Sequence, residues 1–180
     1  MKKFITFLYL LTTPLLSQDI LPLRERASLI DQIQKERIEK LLPKLMEEQD
    51  IDVWVMITRE YNEDPIVKTL LPPTWLNARR RTILVFSKTE NGIDPVAISR
   101  YNFGNNIRSI WNKEQQPNQW QALSDYIVSQ NPQKIGVNMS EYYGIVDGLA
   151  KTDYDGLIQA LPSKYKKRIV SAETLGVRWI

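Results

Sequence analysis

The spacing of apolar positions changes several times along the chain. Between residues 24 and 48, Ala27, Ile30, Ile33 or Gln34, Ile38, Leu41, Leu42 and Leu45 recur three and four apart, with charged residues filling the other face. That period predicts an amphipathic helix. Pro43 must kink or split it near Leu42, because proline has no N–H to donate to the preceding turn. Residues 52–58 are then almost continuously apolar and rich in β-formers, which suits an interior strand covered on both faces. A helix followed by a buried strand is the opening of an α/β domain.

The middle of the chain is less regular. Pro65, with Asn62, Glu63 and Asp64 just ahead of it, predicts a short helix over residues 65–71, stopped by Pro72 and Pro73. Residues 82–87 read as a second apolar strand. A turn over residues 88–92, with Asn91-Gly92 at its tip, returns the chain to a hairpin strand over residues 95–100. An antiparallel pair of this kind makes the sheet mixed. Further on, residues 118–130 predict a helix carrying Trp120, Leu123, Tyr126 and Ile127 on one face. Residues 134–138 form a short strand, residues 155–161 a helix, residues 168–171 a strand, and a last short helix begins near Ala172. The expected fold class is therefore α/β, a mixed sheet with flanking helices.

Composition narrows the chemistry. The 180 residues are 43% hydrophobic and 25% charged, a length and balance suited to one globular domain, and they include no His and no Cys. Those residue types supply most metal ligands, activated nucleophiles and near-neutral proton shuttles, so thiol enzymes, zinc fingers, disulfide scaffolds and serine–histidine triads are excluded. The aspartates offer no pair whose spacing defines a general acid and base. No catalytic residue, cofactor-binding residue or metal ligand is assigned from the sequence.

Residues 1–18 have a different character. Lys2 and Lys3 precede an apolar run over residues 4–16 and a polar boundary at Ser17-Gln18-Asp19, the layout of a secretory signal peptide. The run falls short of the roughly 20 apolar residues of a membrane span, so no stable membrane anchor is expected. Cleavage near Ser17 or Gln18 would leave an exported, periplasmic or secreted domain over residues 19–180. Without Lys2 and Lys3 the net charge falls from +3 to about +1, which removes the main argument for nucleic acid as a partner. Two basic clusters persist, Arg79-Arg80-Arg81 and residues 164–168, and each reads as a solvated face or a charged strand entrance.

Several strings together resemble a known family. Residues 36–46, then Ile51-Asp-Val-Trp-Val-Met-Ile-Thr-Arg-Glu-Tyr-Asn-Glu-Asp-Pro65, then Lys134-Ile-Gly-Val-Asn138 and Val170-Ser-Ala-Glu-Thr-Leu175, are similar to the N-terminal domain of the creatinase and Xaa-Pro aminopeptidase family. The resemblance runs from about Arg24 onward. It implies a creatinase N-terminal-domain-like fold, ribonuclease-H-like in its sheet. It also implies a C-terminal pita-bread domain in which two Asp, one His and two Glu hold a dinuclear metal centre. A chain without His lacks that set, so the resemblance covers the accessory domain only, and a dinuclear metal is expected only in the absent catalytic domain. Family N-terminal domains are thought to shape substrate access and dimer contacts.

Two function classes follow. One is a non-catalytic accessory domain of an exported metallopeptidase-like protein, whose partner is the missing catalytic domain or a partner subunit. The other is a free-standing module that binds a peptide or protein without chemistry. Trp75, between Pro73 and Arg79, is the best candidate for an exposed aromatic at an interface. Trp179 and Ile180 are expected to meet a segment outside this domain, so that removing residues 175–180 would leave stability unchanged. Glu60, Glu63 and Asp64 read as helix-start chemistry in preference to an oxygen-rich cation pocket.

Overall fold

The computed structural model describes residues 20–180; the signal-peptide reading of residues 1–18 lies outside them. Six strands form one mixed sheet, β1 (Val53–Arg59), β2 (Arg81–Thr89), β3 (Gly92–Ile98), β4 (Arg108–Ser109), β5 (Ile135–Val137) and β6 (Ile169–Ser171), in the order β4-β3-β2-β1-β5-β6. Pairs β1–β2 and β2–β3 are antiparallel, and β1–β5, β5–β6 and β3–β4 are parallel. The sheet is mixed and helices flank it, as the alternation of periods implied.

Side-chain alternation in β1 and β2 creates two cores. Trp54 and Met56 of β1 share one face with Leu84 and Phe86 of β2, whereas Val53, Val55 and Ile57 share the other with Ile83 and Val85. Because both faces are buried, these strands read as unbroken apolar runs. Over the first face lie α1 (Leu23–Glu36) with its continuation, α3 (Pro65–Lys68) and α7 (Glu173–Trp179). Over the second lie α4 (Gln119–Gln130), α5 (Lys151–Ala160) and α6 (Ser163–Lys166).

The long first helix is interrupted near Leu42, as Pro43 predicted, and departs from expectation in its core stripe. A five-residue π-turn, Arg37–Leu41, joins α1 to α2 (Leu42–Glu48), and Pro43 falls in the first turn of α2. The wider turn absorbs the missing N–H and the ring's bulk without ending the helix. The core stripe begins later than its period suggested. Ile38, Leu42, Leu45 and Met46 are buried, but Leu29, Ile30 and Ile33 are 41–48% exposed. Gln34 is the buried residue of α1, and its amide donates to the carbonyls of Leu71 (2.8 Å) and Thr69 (3.3 Å). The leading half of α1 keeps an apolar face toward solvent.

Local signals explain the other boundaries. Asn118 caps α4 by accepting from the N–H groups of Trp120 and Gln121, and Asn131 ends it in the left-handed conformation at φ 46°. Gly92 closes the β2–β3 turn at φ 111°. Pro95 pairs with Phe86 on one side, while β4 contacts only Val96 and Ala97 on the other, so the missing N–H interrupts no ladder there. Helix α3 is shorter than predicted and α5 begins four residues earlier, at Lys151. β4 and α6 are too short for their period to be read.

Trp179 corrects an expectation. It is 1% exposed, inside the first core, with its indole N–H donating to Thr69 Oγ1 at 2.7 Å and its ring edge-on to Trp54 at 6.3 Å. The Arg37 guanidinium lies over its ring, 4.1 Å from the centroid. Residues 175–179 therefore complete this domain, whereas Ile180 is 54% exposed.

Candidate functional site

The carboxyl ends of the parallel strands β1, β5 and β6 lie at one edge of the sheet, where open α/β sheets place ligands. Arg59, Asn138 and Ser171 mark those ends. The Arg59-Glu-Tyr-Asn-Glu-Asp-Pro65 string makes a tight turn there: Asn62 N–H donates to the Arg59 carbonyl at 2.9 Å, and Tyr61 takes φ 66°. Asp64 is fully buried. Its Oδ1 accepts from the N–H groups of Ile66 and Val67 at the start of α3, and its own N–H donates to Thr58 Oγ1. Its Oδ2 accepts from Asn138 Nδ2 at 2.8 Å, and Asn138 Oδ1 accepts from Trp54 Nε1 at 2.7 Å.

This buried chain decides the chemistry of Asp64. Burial pushes its carboxyl above the ordinary value, opposed by the hydrogen bonds from Asn138, Ile66 and Val67. All of its bonds run to its own fold, and Gly148 packs so closely that a Cβ there would lie 2.4 Å from Asp64. Asp64 thus acts at the helix start, as the sequence suggested, and Glu63 accepts from the Tyr61 N–H within the turn ahead of it. Asp153 is also buried and is held between Arg59 Nε (2.9 Å) and Arg81 Nε (3.4 Å). Neither N–H is aimed well enough for a hydrogen bond, so these contacts are electrostatic. Tyr126, on the other core, has its phenol pushed up to about 12, chiefly by burial, and stays protonated near neutral pH.

Beyond the ends of β5 and β6 lies a cavity of about 680 Å³, bordered by Met139, Tyr142, Leu149, Tyr154 and Glu173. Ser140 organises its rim. The hydroxyl donates to Glu173 at 2.6 Å and accepts from the N–H groups of Tyr142 and Tyr143, while the Ser140 N–H donates to Asp147. Tyr142 is 75% exposed at the mouth. No feature of the sequence reading singled out this rim, because its members come from three separate segments.

A second concave surface surrounds Trp75. A cavity of about 550 Å³ is lined by Thr74, Trp75, Leu76, Asn77, Arg79 and Tyr101. Trp75 is half-buried, edge-on to Tyr101 at 5.5 Å and to Phe103 at 5.3 Å, and its neighbour Leu76 is 98% exposed. Gly104 permits the close packing of this loop. It takes φ 68°, and a Cβ there would come within 2.9 Å of Pro72. The three residues named from sequence as interface candidates are thus not brought together: Trp75 borders this cavity, Trp179 is in the core, and Ile180 is exposed at the end of α7.

Both surfaces are concave with aromatic and polar side chains at their rims, and the two buried carboxylates, Asp64 and Asp153, are engaged within the fold by Asn138 and by Arg59 and Arg81. Among the described residues no helix is long and apolar enough to cross a membrane, and no group of three or more metal-ligating side chains converges.

No protein-family profile matches the sequence, and no curated protein sequence matches it. Among solved structures, the chain is similar to a Xaa-Pro dipeptidase from Bacillus anthracis, with a TM-score of 0.50 and 14% sequence identity, over 80% of this chain and 34% of that one. At that identity the likeness is one of fold: this chain has the mixed α/β architecture found in part of a Xaa-Pro peptidase, and spans about a third of its length.

Proposed function

We propose that this chain is a non-catalytic accessory domain of an exported Xaa-Pro aminopeptidase-like metallopeptidase, where it shapes substrate access and dimer contacts. The observation that carries the reading is the fold shared with about a third of a Xaa-Pro dipeptidase by a chain that has no His. The exposed apolar face of α1, at Leu29, Ile30 and Ile33, supports it. Contiguous apolar side chains on a water-facing helix mark a contact surface. A dinuclear metal belongs, in this reading, to the catalytic domain and not to these residues.

Photo-cross-linking from Ile30 in the producing cell tests the assignment. The expected product joins Ile30 to a domain carrying the Asp, Asp, His, Glu and Glu metal set, whether in a separate polypeptide or in a continuation of this one. Cross-links only to unrelated proteins, or none, would leave the second reading, a free-standing peptide- or protein-binding module, which the cavity beside Trp75 favours. Export is part of the same proposal. Mass spectrometry of the native protein should find an N-terminus near Gln18 or Asp19; an intact Met1 would contradict it.

A further inference from the structure

Arg79, Arg80 and Arg81 are adjacent in sequence but differ in their surroundings. Arg81 is committed: it pairs with Asp153 and lies over the Trp120 ring, 4.4 Å from the centroid. Arg79, Arg80 and Arg100 are exposed, and among the described residues none of the three forms a salt bridge or donates a side-chain hydrogen bond. All three line a small cavity of about 120 Å³ together with Tyr101 and Trp111. That cavity adjoins the larger one beside Trp75, because Arg79 and Tyr101 border both. Arginines without a carboxylate partner among the described residues therefore stand next to a recess of mixed lining whose apolar edge is Leu76 and Trp75.

The backbone that presents them is held rigidly. The Arg79 carbonyl accepts from the hydroxyls of Tyr101 (2.7 Å) and Thr82 (3.0 Å), and the Arg80 carbonyl accepts from Glu60 N–H (3.2 Å). Arg80 is kept at φ 52°, a conformation that non-glycine residues adopt only when the surroundings impose it. A backbone fixed in advance leaves only the side chains to be ordered when a ligand arrives.

We propose that these joined cavities dock an acidic peptide segment, with an apolar side chain against Leu76 and Trp75 and carboxylates on Arg79, Arg80 and Arg100. Charge complementarity selects the sign of the partner. The Leu76–Trp75 edge selects a peptide over a nucleic acid: Trp75 meets Tyr101 and Phe103 edge-on and is only half-exposed, so it offers no open platform for a base, whereas Leu76 is almost fully accessible to a side chain. One protruding apolar side chain, Leu76, beside a half-buried Trp75 is too small an apolar anchor to favour a lipid surface, whose binding scales with buried apolar area. The proposal does not depend on the accessory-domain reading, since a catalytic partner or an independent protein can each carry such a segment.

Selection of random peptides displayed on phage against the full chain tests it. Recovered sequences should be enriched in Asp and Glu flanking an aliphatic or aromatic residue. A synthetic peptide of the recovered sequence should bind the Arg79→Gln/Arg80→Gln/Arg100→Gln variant about tenfold more weakly, the combined effect of three exposed ion pairs. Its binding to the unmodified chain should weaken with added salt. Leu76→Ser should weaken binding several-fold with the salt dependence unchanged, and it serves as the test if the triple variant does not fold. Recovery of no sequence, of sequences without acidic enrichment, or of peptides that bind the triple variant equally well would overturn the proposal. So would a failed selection accompanied by Arg-dependent binding of inorganic phosphate, a single-stranded oligonucleotide or phosphatidylglycerol vesicles. Arg-dependent self-association in sedimentation, without peptide binding, would replace the peptide with a second copy.

Discussion

Replacing Trp179 with alanine is expected to lower the unfolding free energy by about 3–5 kcal/mol, the range for truncating a buried large aromatic side chain. The indole is 1% exposed, contacts Trp54 edge-on, and donates to Thr69. Helix α7 has only seven residues, too few to persist without packing, so its attachment depends on Leu175 and Trp179. The attachment is close: Gly176 faces Val146, whose Cγ1 would lie 2.8 Å from an added Cβ. Urea unfolding followed by fluorescence and by circular dichroism measures the loss. A change below about 1 kcal/mol, the size of a typical surface effect, would mean that α7 contributes little to this core.

Asn138→Ala should cost nearly as much, roughly 2–5 kcal/mol, because it strands two buried groups at once. Trp54 Nε1 loses its acceptor and Asp64 Oδ2 loses a donor. The size of the loss should depend on pH. Burial raises the Asp64 carboxyl above its ordinary value of 3.8, so between that value and the higher folded one the native state binds more protons than the unfolded chain. Stability contributed by this group therefore falls as pH rises through that window and is level above it. Asn138 donates to the carboxylate and opposes the shift, so its removal raises the folded value further. The penalty of Asn138→Ala should be larger near neutral pH than near 3.8. Denaturant titrations of both proteins at the two pH values would reveal the difference; an equal penalty would show that Asp64 does not ionise in the folded state.

Much of the architecture could be read from local pattern because its causes are local. The apolar run over β1 required two covered faces, and Asn91-Gly92 required a tight return. Asp64 ahead of Pro65 indicated a helix start, and the structure confirms that role. The core stripe of α1 was misjudged for a physical reason. Ile30 and Ile33 have the spacing of core residues, yet they stay 41% and 48% exposed. Periodicity identifies a face of a helix but not how far its neighbour reaches.

The candidate surfaces were less legible for the same reason. Trp75 was identifiable as an aromatic between prolines and arginines, but its packing depends on Tyr101 and Phe103, and the adjoining small cavity draws in Arg100. The Ser140 rim draws on Asp147 and Glu173, from separate segments. No spacing rule links them.

The sequence by itself determined the class of fold, the mixed sheet, and a chemistry without His or Cys, because each follows from residue type or from periods a few residues long. Tertiary structure alone decided that Trp179 completes the core, that Arg81 pairs with Asp153 while among the described residues Arg79, Arg80 and Arg100 pair with no carboxylate, and that Asp64, Asn138 and Trp54 form one buried chain. In each case the deciding contact joins residues tens of positions apart. Whether a side chain faces a partner or water is then a property of the assembled layers, not of the segment that carries it.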